Sequence, residues 1–131
     1  MRGSLKAYRS VAIDSQRDIA SPYRVVQMLL AGALERLAKA RTAIEQEKFS
    51  QRGELIGKTI AIVQQLQASL DLEAGGEVAA NLESLYDFMV REMMLANSES
   101  NSERLEGVSR LLREIKESWD AIPAEQQAVP A

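Results

Sequence analysis

Residues 79–95, AANLESLYDFMVREMML, decide how this chain folds. At about 100° per residue, Leu82, Leu85, Tyr86, Met89, Val90 and Met93 share one arc of roughly 140°. That arc is wide enough to fill a core. Phe88 and Leu95 fall on a second stripe, set apart by Asn81 and Glu92, and Met94 lies off the arc on the other side. A helix with apolar residues beyond its core stripe is either buried on two sides or holds a surface for something else.

The same period extends through the rest of the chain. Ser21-Pro22 opens a helix with a capping hydroxyl and a preset φ at the first position. Val26, Leu30, Ala33, Leu37, Ala40 and Ile44 then recur at three–four spacing, fading at Lys48-Phe49-Ser50. A second seam runs through Ile56, Ile60, Val63, Leu66 and Leu70, widened by Leu55 and Ile62, with Gly75-Gly76 as its expected stop. The third helix spans about Val78 to Ala96. Ser100 and Glu103 have capping-box spacing before a fourth seam of Leu105, Val108, Leu112, Ile115, Trp119 and Ile122, which Pro123 ends. No alternation of period two competes. Short loops between long helices predict an all-α, antiparallel up-and-down four-helix bundle with a short N-terminal arm or cap helix. The expected divisions are an arm at 1–20, the bundle at 21–122 and a mobile tail at 123–131.

Composition narrows the function. With 131 residues, one domain is expected. Aromatics are 5% against 46% hydrophobic residues, so the core must be mainly aliphatic. The formal charge of −3 offers no basic field for nucleic acid or anionic lipid. Cysteine and histidine are both absent. Thiol chemistry, imidazole catalysis, phosphohistidine relay and Glu-x-x-His di-iron sites are thereby excluded. Asp71, Glu73 and Glu77 match no calcium loop and read as a solvated turn, so no metal or cofactor is expected. Nor does any nucleophile–base pairing appear, and the chain reads as a non-enzyme. The first twenty residues carry four Arg/Lys and no apolar run, so neither a signal peptide nor a membrane span is expected.

Binding by surface is what remains. In the arm, Tyr8 and Ile13 are the anchors of a strap able to dock on the bundle. Val25 and Met28 form an off-seam patch with Gly32, and Ile62 widens the second helix's apolar face. Tyr86, at the edge of its arc, suits either core or contact. Phe88, Met94 and Leu95 complete the candidate partner-binding set, with burial as the alternative for each. Methionines fill cores as readily as they line adaptable surfaces. Trp119 reads as a core anchor, and Glu83, Asp87 and Arg91 as a solvated, salt-bridged strip.

Four segments carry a resemblance: AYRSVAIDSQ (7–16), SPYRVVQMLLAGALERLAKA (21–40), SLDLEAGGEVAANLESLYDFMVREMMLAN (69–97) and LEGVSRLLREIKESWDAI (105–122). In order and with no large insertion, they resemble the FliS-type flagellar export chaperones. The resemblance implies a cytoplasmic bundle that binds the disordered C-terminal segment of flagellin. Such a chaperone blocks premature polymerisation and presents its client to the flagellar type III export gate. It also implies an N-terminal cap, here holding Tyr8 and Ile13, that the client displaces. Some members bind other flagellar regulators such as the anti-sigma factor. A self-associating helical adaptor or scaffold without a flagellin client is the rival reading, and a homodimer is a state open to the chaperone itself when free of client.

Overall fold

The computed structural model describes residues 21–126, as four helices and one short turn. Helix α1 is Pro22–Glu45, α2 Phe49–Ala68, α3 Leu72–Glu99 and α4 Ser102–Asp120; Ala124–Gln126 form a single 3-10 turn. Each helix packs on the next, and α4 returns to α1, leaving α1 opposite α3 and α2 opposite α4. This is the expected up-and-down bundle. Tyr8 and Ile13 lie outside the described residues, as does most of the tail beyond Pro123.

The ends of α1 show why the chain stops and starts where it does. Ser21 has extended backbone, and its Oγ accepts the Arg24 N–H at 3.1 Å, with Pro22 in the first turn. At the other end Glu47 takes φ +57. There the Lys48 N–H donates to Ala43 O at 2.8 Å and the Glu47 N–H to Ile44 O at 3.1 Å. Two orphan carbonyls are satisfied in the Schellman pattern, without the glycine that usually supplies it. Ser100 ends α3 in the same left-handed region at φ +51. Ser100 is therefore not the capping residue expected of it. Asn101 caps α4 instead, its Oδ1 accepting from the N–H groups of Glu103 and Arg104 at 3.0 and 3.2 Å.

Gly75-Gly76 was expected to stop the second helix and does not. α2 ends at Ala68, where Ser69 Oγ donates to Leu66 O at 2.7 Å. The glycines sit inside α3, which Asp71 caps by accepting from Ala74 N–H at 2.9 Å. Gly76, with φ +53 and ψ −129, breaks the helix into a first turn and a long regular piece. Only glycine adopts that backbone without strain. Gly75 is required for space, since a Cβ there would stand 2.6 Å from the Ala79 Cβ. Gly76→Ala is expected to cost about 1–3 kcal/mol, read as a lowered urea midpoint with an unchanged slope.

The core is aliphatic, as the composition required. Leu30, Leu37, Ile56, Leu66, Met89, Met93, Leu105 and Leu112 are fully enclosed. The sequence reading missed Thr59, which is also enclosed; its hydroxyl donates to Leu55 O at 2.8 Å, so the polar atom carries no penalty. Ile44, Ile60, Leu70, Leu82, Leu85 and Val90 pack at the edge, half-buried.

Polar clasps fix the register between helices. Arg41 pairs with Glu106 across α1 and α4, and Gln27 Nε2 donates to Asp120 Oδ1 at 2.8 Å. Arg104 bridges to Glu92 and Glu99, each at 2.9 Å. Arg52 Nε donates to Asn97 Oδ1 at 2.9 Å between α2 and α3. Hydrogen bonding from Arg104 holds the Glu99 carboxyl below its ordinary 4.5, and hydrogen bonding from Lys116, then Gln27, holds Asp120 below 3.8. Both depressed groups stabilise the folded state fully above their ordinary pKa values. That contribution disappears as pH falls through the lower, folded values. Melting temperature should thus be level near neutrality and fall below about pH 4, where the unfolded chain takes up the extra protons.

Candidate binding cavity and family membership

An apolar cavity of about 540 Å³ opens at the end of the bundle where α1 begins and α2 ends. Its walls come from all four helices: Val26 from α1, Leu66 from α2, Val78, Leu82 and Tyr86 from α3, and Trp119 from α4. The local sequence explains the gap. Ala74, Gly75 and Ala79 line the α3 side, and the break at Gly76 interrupts the helix beside them. Small side chains and an interrupted helix leave space that a regular, large-residue seam would fill. The opposite wall is rigid. Trp119 stacks on Tyr23 with ring centroids 5.4 Å apart and donates its Nε1–H to Tyr23 O at 2.9 Å. Leu72 and Val78 are exposed on α3's first turns, Val78 at the cavity wall and 70% accessible.

Few polar groups face this space, and they differ. The Ser69 hydroxyl is spent on Leu66 O, and the Asp71 carboxylate on the α3 cap. Tyr86 is only 3% exposed, yet its hydroxyl has no hydrogen-bond partner among the described residues. It is not sealed off either, because no buried side-chain polar atom lacks a partner there. Tyr86 lines the cavity, and its hydroxyl keeps some contact with open space. Burial pushes its phenol pKa up.

The residues singled out from sequence are not gathered at one place. Of those among the described residues, Tyr86 alone lines the cavity. Phe88, 42% exposed, borders a shallow groove of about 320 Å³ with Gly107, Val108 and Leu111 of α4. Leu95, seven residues on, shares that flank and is exposed. Met94, 60% exposed, lies on the α2 flank, seven residues after Asp87. Asp87 accepts from Gln67 Nε2 at 2.7 Å across that interface, so the expected Glu83–Asp87–Arg91 strip is an inter-helix clasp at its centre. Around Gly32, Val25 and Ile62 are half-buried and Met28 is exposed. The Ile62 Cδ1 lies 3.9 Å from where a Gly32 Cβ would stand. Met89 and Met93 are core filler. Trp119, expected in the core, is half-buried and forms a cavity wall.

Over residues 4–126 the sequence matches the profile of the family described as "Flagellar protein FliS". The chain belongs to the FliS family. It is 45% identical over 131 residues to the flagellar secretion chaperone FliS of Vibrio cholerae, covering all of this chain and 96% of that one. Against FliSB of Pseudomonas aeruginosa, also a flagellar secretion chaperone, it is 44% identical over 91% of this chain and 94% of the relative. The Salmonella typhimurium FliS is 40% identical over 90% and 88%. The chain is accordingly a flagellar export chaperone of the FliS type. Among the described residues no helix is long and apolar enough to cross a membrane.

Proposed function

We propose that this FliS-family chain is a non-enzymatic, cytoplasmic chaperone for flagellin. It binds the disordered C-terminal segment of its client, prevents premature polymerisation and hands the client to the flagellar type III export gate. The observation that carries the reading is the preformed apolar cavity at one end of the bundle. A disordered client loses conformational entropy on binding and needs apolar burial to offset it. A preformed cavity supplies that burial with little reorganisation of the chaperone. The exposed Phe88–Leu95 flank, beside a separate shallow groove on α4, offers a second apolar surface for a client helix.

A second part of the proposal concerns the segment before α1. Ser21 caps α1 one turn before Val26, a cavity residue, and twenty residues carrying Tyr8 and Ile13 precede it. We propose that this segment, which lies outside the described residues, is the cap that flagellin displaces.

Isothermal titration with the C-terminal segment of the same organism's flagellin tests the reading. Saturable one-to-one binding with a negative heat-capacity change supports it, because apolar burial carries that signature. Absence of heat at several temperatures, with the protein folded, defeats it. A concentration-dependent dimer in light scattering would then favour the self-associating adaptor, built on the same exposed apolar residues.

A further inference from the structure

Among the described residues, the cavity lining holds one enclosed polar side chain without an internal use. Ser69 and Asp71 spend their side chains on the local backbone, and the remaining walls are aliphatic or the Trp119 ring. The Tyr86 hydroxyl is held inside a residue that is 97% enclosed and has no partner among the described residues. A phenylalanine at this position would fill the same volume without that feature.

We propose that Tyr86 is a specificity-determining residue whose hydroxyl donates a hydrogen bond to an asparagine or glutamine side-chain amide on the bound client segment. This rests on the cavity being the client site. The chemistry selects the acceptor. A phenol is a strong donor and a weak acceptor, because its oxygen lone pair is shared with the ring. A carboxylate acceptor would have to leave water for apolar walls and sit near the Asp71 carboxylate, which is costly. Among neutral acceptors, the backbone carbonyls of a helical client are already used within its own helix. The free neutral carbonyl on such a segment is a side-chain amide. A site built to hydrogen-bond one group rejects an apolar replacement, since the pocket's polar atom is then left unpaired.

The test is a double-mutant cycle by isothermal titration, using full-length wild type and Y86F. The ligand is the flagellin C-terminal peptide, with each Asn or Gln replaced in turn by Leu. Y86F should melt like the wild type, because its lost hydroxyl had no partner. It should bind the unmodified peptide about ten-fold more weakly. One amide replacement should weaken binding to the wild type by about the same factor and be nearly silent in Y86F. Equal binding of the unmodified peptide by both proteins overturns the role of Tyr86 and leaves the cavity reading intact. So does an amide scan whose costs are identical in the two proteins. A wild type that binds no peptide defeats the client reading, and the proposal for Tyr86 with it.

Discussion

Replacing Leu37 with alanine is expected to lower the unfolding free energy by about 2–5 kcal/mol. Leu37 is fully enclosed near the middle of α1 and belongs to the main core cluster. The deletion removes apolar burial and also leaves a cavity, and both terms act in the same direction. The site is poorly placed to collapse. Its neighbours along the α1 core face are Ala33 and Ala40, both fully buried and too short to swing into the space. Domains of this size have about 5–15 kcal/mol in total, so the loss is a large share. Urea unfolding followed by circular dichroism measures it, and the slope should not change. A loss under about 1 kcal/mol would mean that the helices close the gap by moving.

Val78→Asp is expected to weaken binding of the flagellin C-terminal segment by roughly ten- to a hundred-fold and to leave the fold intact. Val78 lines the cavity but is 70% exposed, so the free protein loses little burial. Its position also favours folding, since a carboxylate near the start of a helix interacts well with the backbone dipole. On binding, that carboxylate would have to be desolvated against an apolar segment, with no cation among the described cavity-lining residues to receive it. Titration calorimetry on the variant, with its melting curve as control, gives the answer. Unchanged affinity would place the client elsewhere, with the Phe88–Leu95 flank the next surface to probe.

The bundle was legible because its helices are long and their apolar periods strict. Val26, Leu30, Ala33, Leu37 and Ala40 lie buried in the order that their spacing requires. Phe88, Met94 and Leu95, flagged for lying off the main arc, are exposed. Caps were harder to read. Ser21 obeys the usual chemistry, whereas Glu47 and Ser100 take left-handed backbone at positions where a sequence reader looks for glycine. The glycines that do occur in tandem serve a different purpose, one for close approach to Ala79 and one for a break inside α3.

Most of the cavity stayed hidden for a related reason. Leu66, Leu82, Ile115 and Trp119 have the spacing of core residues, and spacing gives the direction of a side chain but not what stands opposite it. An absent neighbour leaves no mark on a helical wheel. Four helices, their core faces and their antiparallel order were thus determined by the sequence alone, because periodicity and short loops are local properties. Only the tertiary structure decided where the core fails to close. That depends on the ends of four separate helices meeting around Gly75-Gly76, and on which side chains, Tyr86 among them, are left facing the space.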